Sequence, residues 1–130
     1  MTDFERLGGQ AGVDRILTTF VDRMRGDFII GFLFEGRDRD RILKHEIELA
    51  SAHLGGPKGY TGRSLGMVHA PLRILRGQFQ RRMAVLKKVL TEHDVPNDIM
   101  ARWVAHDSAL ESVVSEPIDC VPPPSRPENR

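Results

Sequence analysis

The amino-acid sequence predicts an all-α fold, because four segments carry apolar residues at helical spacing and no strand hairpin or internal repeat is recognisable. The first helix is predicted over residues 11–24, where apolar residues recur at three- and four-residue steps: Val13, Ile16, Leu17, Phe20, Val21 and Met24. Gly8-Gly9 ends a short leading segment before it. Gly26 and Gly31 then bracket a turn, and Leu33-Phe34 predicts a tight helical turn.

The second helix is predicted to start at Asp38 or Asp40, either of which can cap it, and to end at Gly55-Gly56-Pro57. Residues 55–66 are rich in glycine and predict a loop. A short helical turn over 65–69 precedes Pro71, which prevents regular helix from continuing. The third helix is predicted over 75–93, and Pro96 suits the first residue of the final helix.

The length of 130 residues predicts one domain, which we place at residues 1–116. Residues 117–130 contain five prolines and predict a flexible tail. Lys and Arg number 19 against 18 Asp and Glu, so the net charge of +1 does not favour a nucleic-acid or membrane partner. The single cysteine excludes an internal disulfide and fits a cytoplasmic location, and the polar N-terminus predicts no signal peptide.

Common catalytic and metal-binding motifs are absent from the sequence, which leaves its five histidines as the candidates for chemistry. A lone histidine in a helical protein is most often a surface or core residue. His69 differs in context, because it follows the glycine-rich loop and a short apolar turn and precedes Pro71. Such a segment can hold an imidazole against a flat ligand.

A series of short motifs follows a characteristic order and spacing: Leu7-Gly8-Gly9, Phe20-x-Asp22-Arg23, Phe34, Leu54-Gly55-Gly56-Pro57, Tyr60-Thr61-Gly62, His69-Ala70-Pro71-Leu72-Arg73-Ile74, Phe79 and Val95-Pro96. These motifs are the basis of a resemblance to the truncated haemoglobins, which covers roughly residues 4–114. It implies a truncated globin fold, a two-over-two helical sandwich around haem, with the subgroup leaning towards group I. It also implies haem b as the cofactor, His69 as the proximal iron ligand and Phe34 as a wedge against the haem face. The other residues that it places at or near the pocket are Ile42, Glu46, Leu49, Leu54, Leu65, Val68, Ile74, Phe79, Arg82 and Trp103, with Tyr60 on the rim.

Three positions depart from the family pattern. Val21 occupies the place of a tyrosine whose hydroxyl usually donates a hydrogen bond to bound oxygen. Valine cannot donate, so residue 21 does not stabilise bound oxygen in this way. Glu46 and Arg82 put charges at two positions that face the ligand. We predict that they pair across the distal side; the alternative is that one or both side chains turn out to solvent.

His45 lies 24 residues before His69, one helical turn from Ile42. In some relatives a histidine at the corresponding position closes the sixth coordination site of the iron, and in others a basic residue there contacts a haem propionate. The sequence leaves both roles open for His45, besides simple exposure.

The resemblance therefore implies a haem protein that binds O2, NO or CO, with redox or nitric oxide detoxification chemistry that would require a reductase or another electron donor. The sequence does not by itself establish catalysis. The alternative is a globin-like helical module that has lost haem and serves in interaction or signalling, and a haem absorption band in the purified protein would exclude it.

Overall fold

A computed structural model describes residues 1–56, 74–111 and 115–116, with the backbone alone for 74, 115 and 116. The helices are α1 (Asp3–Arg6), α2 (Gly9–Arg25), α3 (Arg39–Leu54), α4 (Arg76–Glu92) and α5 (Asn97–Ser108), and a 3-10 helix spans Gly31–Phe34. Two strands of two residues each, β1 (Ile74–Leu75) and β2 (Ser115–Glu116), complete the described elements. The predicted all-α class is confirmed, and the predicted tail at 117–130 lies outside the described residues.

The helix ends follow local chemistry. The side chain of Asp38 accepts a hydrogen bond from the backbone N–H of Asp40 at 3.1 Å, so of the two predicted caps the structure uses Asp38 for α3. The same helix ends at Gly55, whose φ of 91° is the left-handed conformation that glycine adopts without steric cost. Both ends of α3 agree with the prediction made from the sequence.

Two features differ from the sequence-based expectation. Pro96 is the N-cap of α5 and lies one residue before the first helical residue, Asn97. The strands β1 and β2 pair in parallel, with Ile74 opposite Ser115. This pairing is not a hairpin, and it joins segments about forty residues apart in the chain. Each strand is only two residues long, so the local sequence pattern does not predict that they pair.

The core forms around α2, which packs against α1, α3 and α4, while α4 also packs against α5. Val13, Phe20 and Val21 on α2 have no solvent exposure. The junction of α1 and α2 is tight at Gly12, where a Cβ atom would lie 1.8 Å from the carbonyl oxygen of Leu7. Any larger residue at this position would force the two helices apart.

The described helices include none that is long and apolar enough to cross a membrane.

Candidate functional site

An internal ion-pair cluster centred on Arg82 joins three helices. Arg82 lies on α4, and its Nη1 and Nη2 donate to the two carboxylate oxygens of Glu46 on α3 at 3.1 and 3.2 Å. Nη2 also donates to Oδ2 of Asp107 on α5 at 3.3 Å. The side chains of Arg82, Glu46 and Asp107 are only 14 %, 13 % and 4 % exposed. The predicted pairing of Glu46 with Arg82 is thus confirmed as a contact.

Arg82 also contacts the central helix α2. Its Cζ lies 4.9 Å from the centroid of the Phe20 ring, a cation–π arrangement, and its Nη1 lies 3.7 Å from the Met24 sulfur. The two terminal nitrogens of the guanidinium therefore make four polar contacts with protein groups. Arg82 therefore links the helices, and donation from either terminal nitrogen to another ligand would require one of these contacts to break.

The charge of Arg82 is retained in this setting. Burial alone would lower the pKa of the guanidinium, but the attraction of Glu46 and then of Asp107 outweighs it, and the net effect raises the pKa.

Asp107 was missed in the sequence analysis, although a signal for it exists. It follows Trp103 by four residues and therefore shares its face of α5. Since Trp103 is only 2 % exposed, an acidic residue on that face must lie in the interior and needs a cationic partner.

Asp107 extends the cluster to a pair of histidines. Its Oδ1 lies 2.9 Å from Nδ1 of His106 on the same helix. The His106 ring stacks on that of His53 at the end of α3, with centroids 4.0 Å apart and planes inclined by 16°. Trp103 meets His53 edge-on at 5.5 Å. Burial, followed by the proximity of His106, lowers the pKa of His53 to about 4, so this imidazole is neutral at physiological pH.

The remaining described residues with a predicted pocket role form two groups. Phe34, Ile42 and Leu49 are only partly buried, as is His45 on α3. Leu54, Phe79 and Trp103 are buried in the core. Part of this set comes together in a narrow crevice lined by Leu17, Phe20, Glu46, Leu49, Ala50, Leu86, Trp103 and Asp107. The face of α3 that carries Glu46 and Leu49 therefore points towards α4 and α5.

Four predicted residues, Tyr60, Leu65, Val68 and His69, lie outside the described part of the chain, and of Ile74 only the backbone is described. Their roles, including that of His69 at the iron, stay predictions.

Similarity to known proteins identifies the family. A family model described as bacterial-like globin matches residues 2–114. The chain belongs to this family. Among curated proteins, this globin is 28 % identical over 98 residues to a group 1 truncated haemoglobin of Mycolicibacterium paratuberculosis, covering 75 % of this chain and 72 % of that protein. It is 25 % identical over 99 residues to the group 1 truncated haemoglobin of Tetrahymena thermophila, covering 76 % and 82 %.

Solved structures confirm the two-over-two fold. The Fe(III) form of the truncated haemoglobin from Tetrahymena pyriformis superposes with a TM-score of 0.79 at 21 % identity, covering 88 % of this chain and 98 % of that one. The group II truncated haemoglobin of Bacillus anthracis superposes with a TM-score of 0.78 at 19 % identity, covering 90 % and 93 %. The two structures superpose about equally well on this globin, so the fold alone does not decide whether it belongs to the group II named for the second.

The described residues fit the haem that globin membership implies. Phe34, Ile42 and Leu49 each leave apolar surface incompletely covered by the described residues, as contact with a flat apolar cofactor requires. The charges of Glu46 and Arg82 are paired with each other, which reduces the cost of placing them beside such a cofactor.

Proposed function

We propose that this globin binds haem b through His69 and takes up small diatomic ligands on the opposite face. The family match over residues 2–114 carries the proposal. The partly buried apolar side chains of Phe34, Ile42 and Leu49 support it, since they offer contact surface beside α3. When bound, the haem iron supplies a coordination position for O2, NO or CO.

The distal side chains favour a nitrogen-oxide or redox role over oxygen storage. Val21 is fully buried and has no hydrogen-bond donor, and Arg82 already directs its terminal nitrogens at Glu46, Asp107 and Met24. Oxygen depends on a donated hydrogen bond more than carbon monoxide or nitric oxide does. We therefore propose that an electron donor reduces this globin and that nitric oxide is the better candidate for its ligand.

We further propose that His45 reversibly occupies the sixth position of the iron. His45 lies on α3 directly before Glu46 and is partly buried. A neutral imidazole is a good iron ligand, and its attachment to the same chain gives it a high effective concentration. Contact between His45 and a haem propionate is the competing arrangement.

The first experiment replaces the proposed proximal ligand. His69→Ala should abolish or strongly weaken haem retention, measured as the ratio of haem absorbance to protein absorbance after gel filtration. His93→Ala is the matched control, because His93 ends α4 and its Nε2 lies 3.1 Å from the Thr19 hydroxyl. Full haem occupancy with an unchanged spectrum in His69→Ala would refute the assignment. No haem band in the wild type would favour a haem-free module.

The second experiment tests His45 in the haem-loaded protein. The wild-type ferric spectrum should be at least partly low-spin, and His45→Ala should convert it to a high-spin or water-bound form and speed carbon monoxide binding to the ferrous protein. External ligands bind faster in the variant because the site is always open. If the wild type is already five-coordinate or water-bound and the variant changes neither spectrum nor rate, His45 is not an iron ligand.

A further inference from the structure

A cluster of three side chains with donor atoms suited to a metal ion lies where the C-terminal ends of α3 and α5 meet, apart from the residues proposed to bind the iron. His53 belongs to the last turn of α3, and His106 and Asp107 belong to the last turn of α5. One donor atom from each of the three lies within 4.8 Å of the others. His45 precedes His53 by eight residues, about 12 Å along a helix axis, so the cluster is distinct from the proposed sixth ligand.

We propose that His53, His106 and Asp107 bind a divalent transition-metal ion of the Zn²⁺ type. Two imidazole nitrogens and one carboxylate oxygen are a typical donor set for zinc, with the fourth position left to water. Nitrogen donors favour zinc, nickel or copper over Mg²⁺ and Ca²⁺, which prefer oxygen.

The state of the His53 nitrogen supports the assignment. Its Nε2 is buried and has no hydrogen-bond partner among the described residues. A buried polar atom without a partner is costly, and such atoms are uncommon in folded proteins. A bound ion would give this nitrogen a partner.

The surroundings of Asp107 fit a role in such a site. Its carboxylate lies between His106 on one side and Arg82 on the other, and its side chain is 4 % exposed. A buried carboxylate beside a ligating histidine either binds the ion directly or fixes the orientation of the imidazole. The side chain of His106 is 33 % exposed, which leaves the ion a route from solvent.

Binding requires a small rearrangement. Donor atoms at 2.0–2.2 Å from a tetrahedral ion are about 3.4 Å from one another, so the three must close from their present separations of up to 4.8 Å. The stacked rings of His53 and His106 must also tilt so that both lone pairs meet at one point.

The test uses the full-length, haem-loaded protein, treated with a chelator to remove adventitious metal and titrated with ZnCl2 by calorimetry. We expect one saturable site, and His53→Gln and His106→Gln should each weaken it at least about tenfold. His93→Gln is the matched control and should bind as the wild type does. No saturable site tighter than about 1 mM (roughly −4 kcal/mol), or unchanged affinity in both cluster variants, would overturn the proposal.

A measurement on the wild type keeps the test independent of whether the variants fold. Zn²⁺ should protect His106, whose side chain is 33 % exposed, from acylation by diethyl pyrocarbonate, read residue by residue by peptide mass spectrometry, while modification of His93 should not change. Protection confined to other histidines would overturn the proposal. The haem spectrum is recorded in parallel, so the haem assignment and the zinc assignment succeed or fail separately.

Discussion

Two ion-pair clusters in this globin use the same chemistry in opposite surroundings. In the internal cluster, Arg82 binds Glu46 and Asp107 at 3.1–3.3 Å, with side chains 4–14 % exposed. In the surface cluster, which ties α1 to α5, Arg102 and Arg6 bind Asp3 and Asp98 at 2.7–3.1 Å. The side chains of the surface cluster are 20–54 % exposed.

The surface cluster has the shorter hydrogen bonds and is nevertheless expected to contribute less to stability. Hydrogen bonds from Arg6 and then Arg102 hold the pKa of Asp98 well below its usual range, but water can replace either partner when one is removed. Inside the protein no such replacement is available, and a charge that loses its partner stays unpaired. The exposed fraction of the side chains is therefore expected to predict each cluster's contribution to stability better than the hydrogen-bond distances do.

The largest effect is expected for Arg82→Met, which leaves two interior carboxylates without a cation. Removing one partner of a buried pair costs about 3–5 kcal/mol, so the free energy of unfolding in urea should fall by that amount. Lys87→Met, at an exposed position of the same helix, is the control and should change little. A loss below about 1 kcal/mol would show that water reaches the internal cluster and would remove the contrast with the surface.

A double-mutant cycle sharpens the same point. Glu46→Gln and Arg82→Met should be strongly non-additive, because Arg82→Met leaves the Glu46 carboxylate without its cation and Glu46→Gln then removes that unpaired charge. Asp107 makes the cycle asymmetric. In Glu46→Gln it still binds Arg82, whereas in Arg82→Met and in the double variant Asp107 has lost its arginine partner. Additive effects on stability would mean that Glu46 and Arg82 do not depend on each other.

An intermediate case lies at the end of α2, where Asp27 is 6 % exposed and its partner Arg81 is 40 % exposed. The hydrogen bond from Arg81, together with the backbone N–H groups of Ile30 and Ile29, lowers the pKa of Asp27 from 3.8 to about 2. Because the folded state binds this proton less readily than the unfolded state, the stabilisation is present above about pH 4 and is lost as the pH falls towards 2.

Asp27→Asn should therefore be less stable than the wild type at pH 5, and the gap should narrow on acidification to pH 2.5. Urea unfolding at several pH values measures it. The control Asp94→Asn removes an exposed carboxylate from the turn between α4 and α5, so it corrects for the general effect of acid. A constant gap between Asp27→Asn and the wild type across this range would contradict the assigned pKa.

The smallest effect is expected at the surface. Arg102→Gln removes three hydrogen bonds to Asp3 and Asp98, yet the melting temperature should change by little more than the error of the measurement. Adding salt screens the exposed pairs. Because these pairs contribute little to stability, the wild-type melting temperature should change as little with salt as it does in Arg102→Gln. If Arg102→Gln lost as much stability as Arg82→Met, side-chain exposure would not predict how much each cluster contributes to stability.

Local chemistry made most of the fold predictable from sequence. Helical periodicity located α2, α3 and α4, and the cap at Asp38 and the stop at Gly55 agreed because helix ends depend on a few neighbouring residues. The predicted start of α5 was one residue too early. Pro96 was expected to be the first helical residue and is instead the N-cap, and proline suits both positions. The pairing of β1 with β2 was missed because its two partners are distant in the chain.

The sequence alone determined where the main helices lie. It also predicted that the charges of Glu46 and Arg82 pair with each other, while leaving open that one or both turn out to solvent. Only the tertiary structure showed that Asp107 is a third member of their cluster and that His53 and His106 stack beside it. The physical reason is that capping and periodicity act within a few residues of the chain. Burial of a charge, by contrast, depends on which helices meet, and here the Arg82 guanidinium contacts α2, α3 and α5 at once.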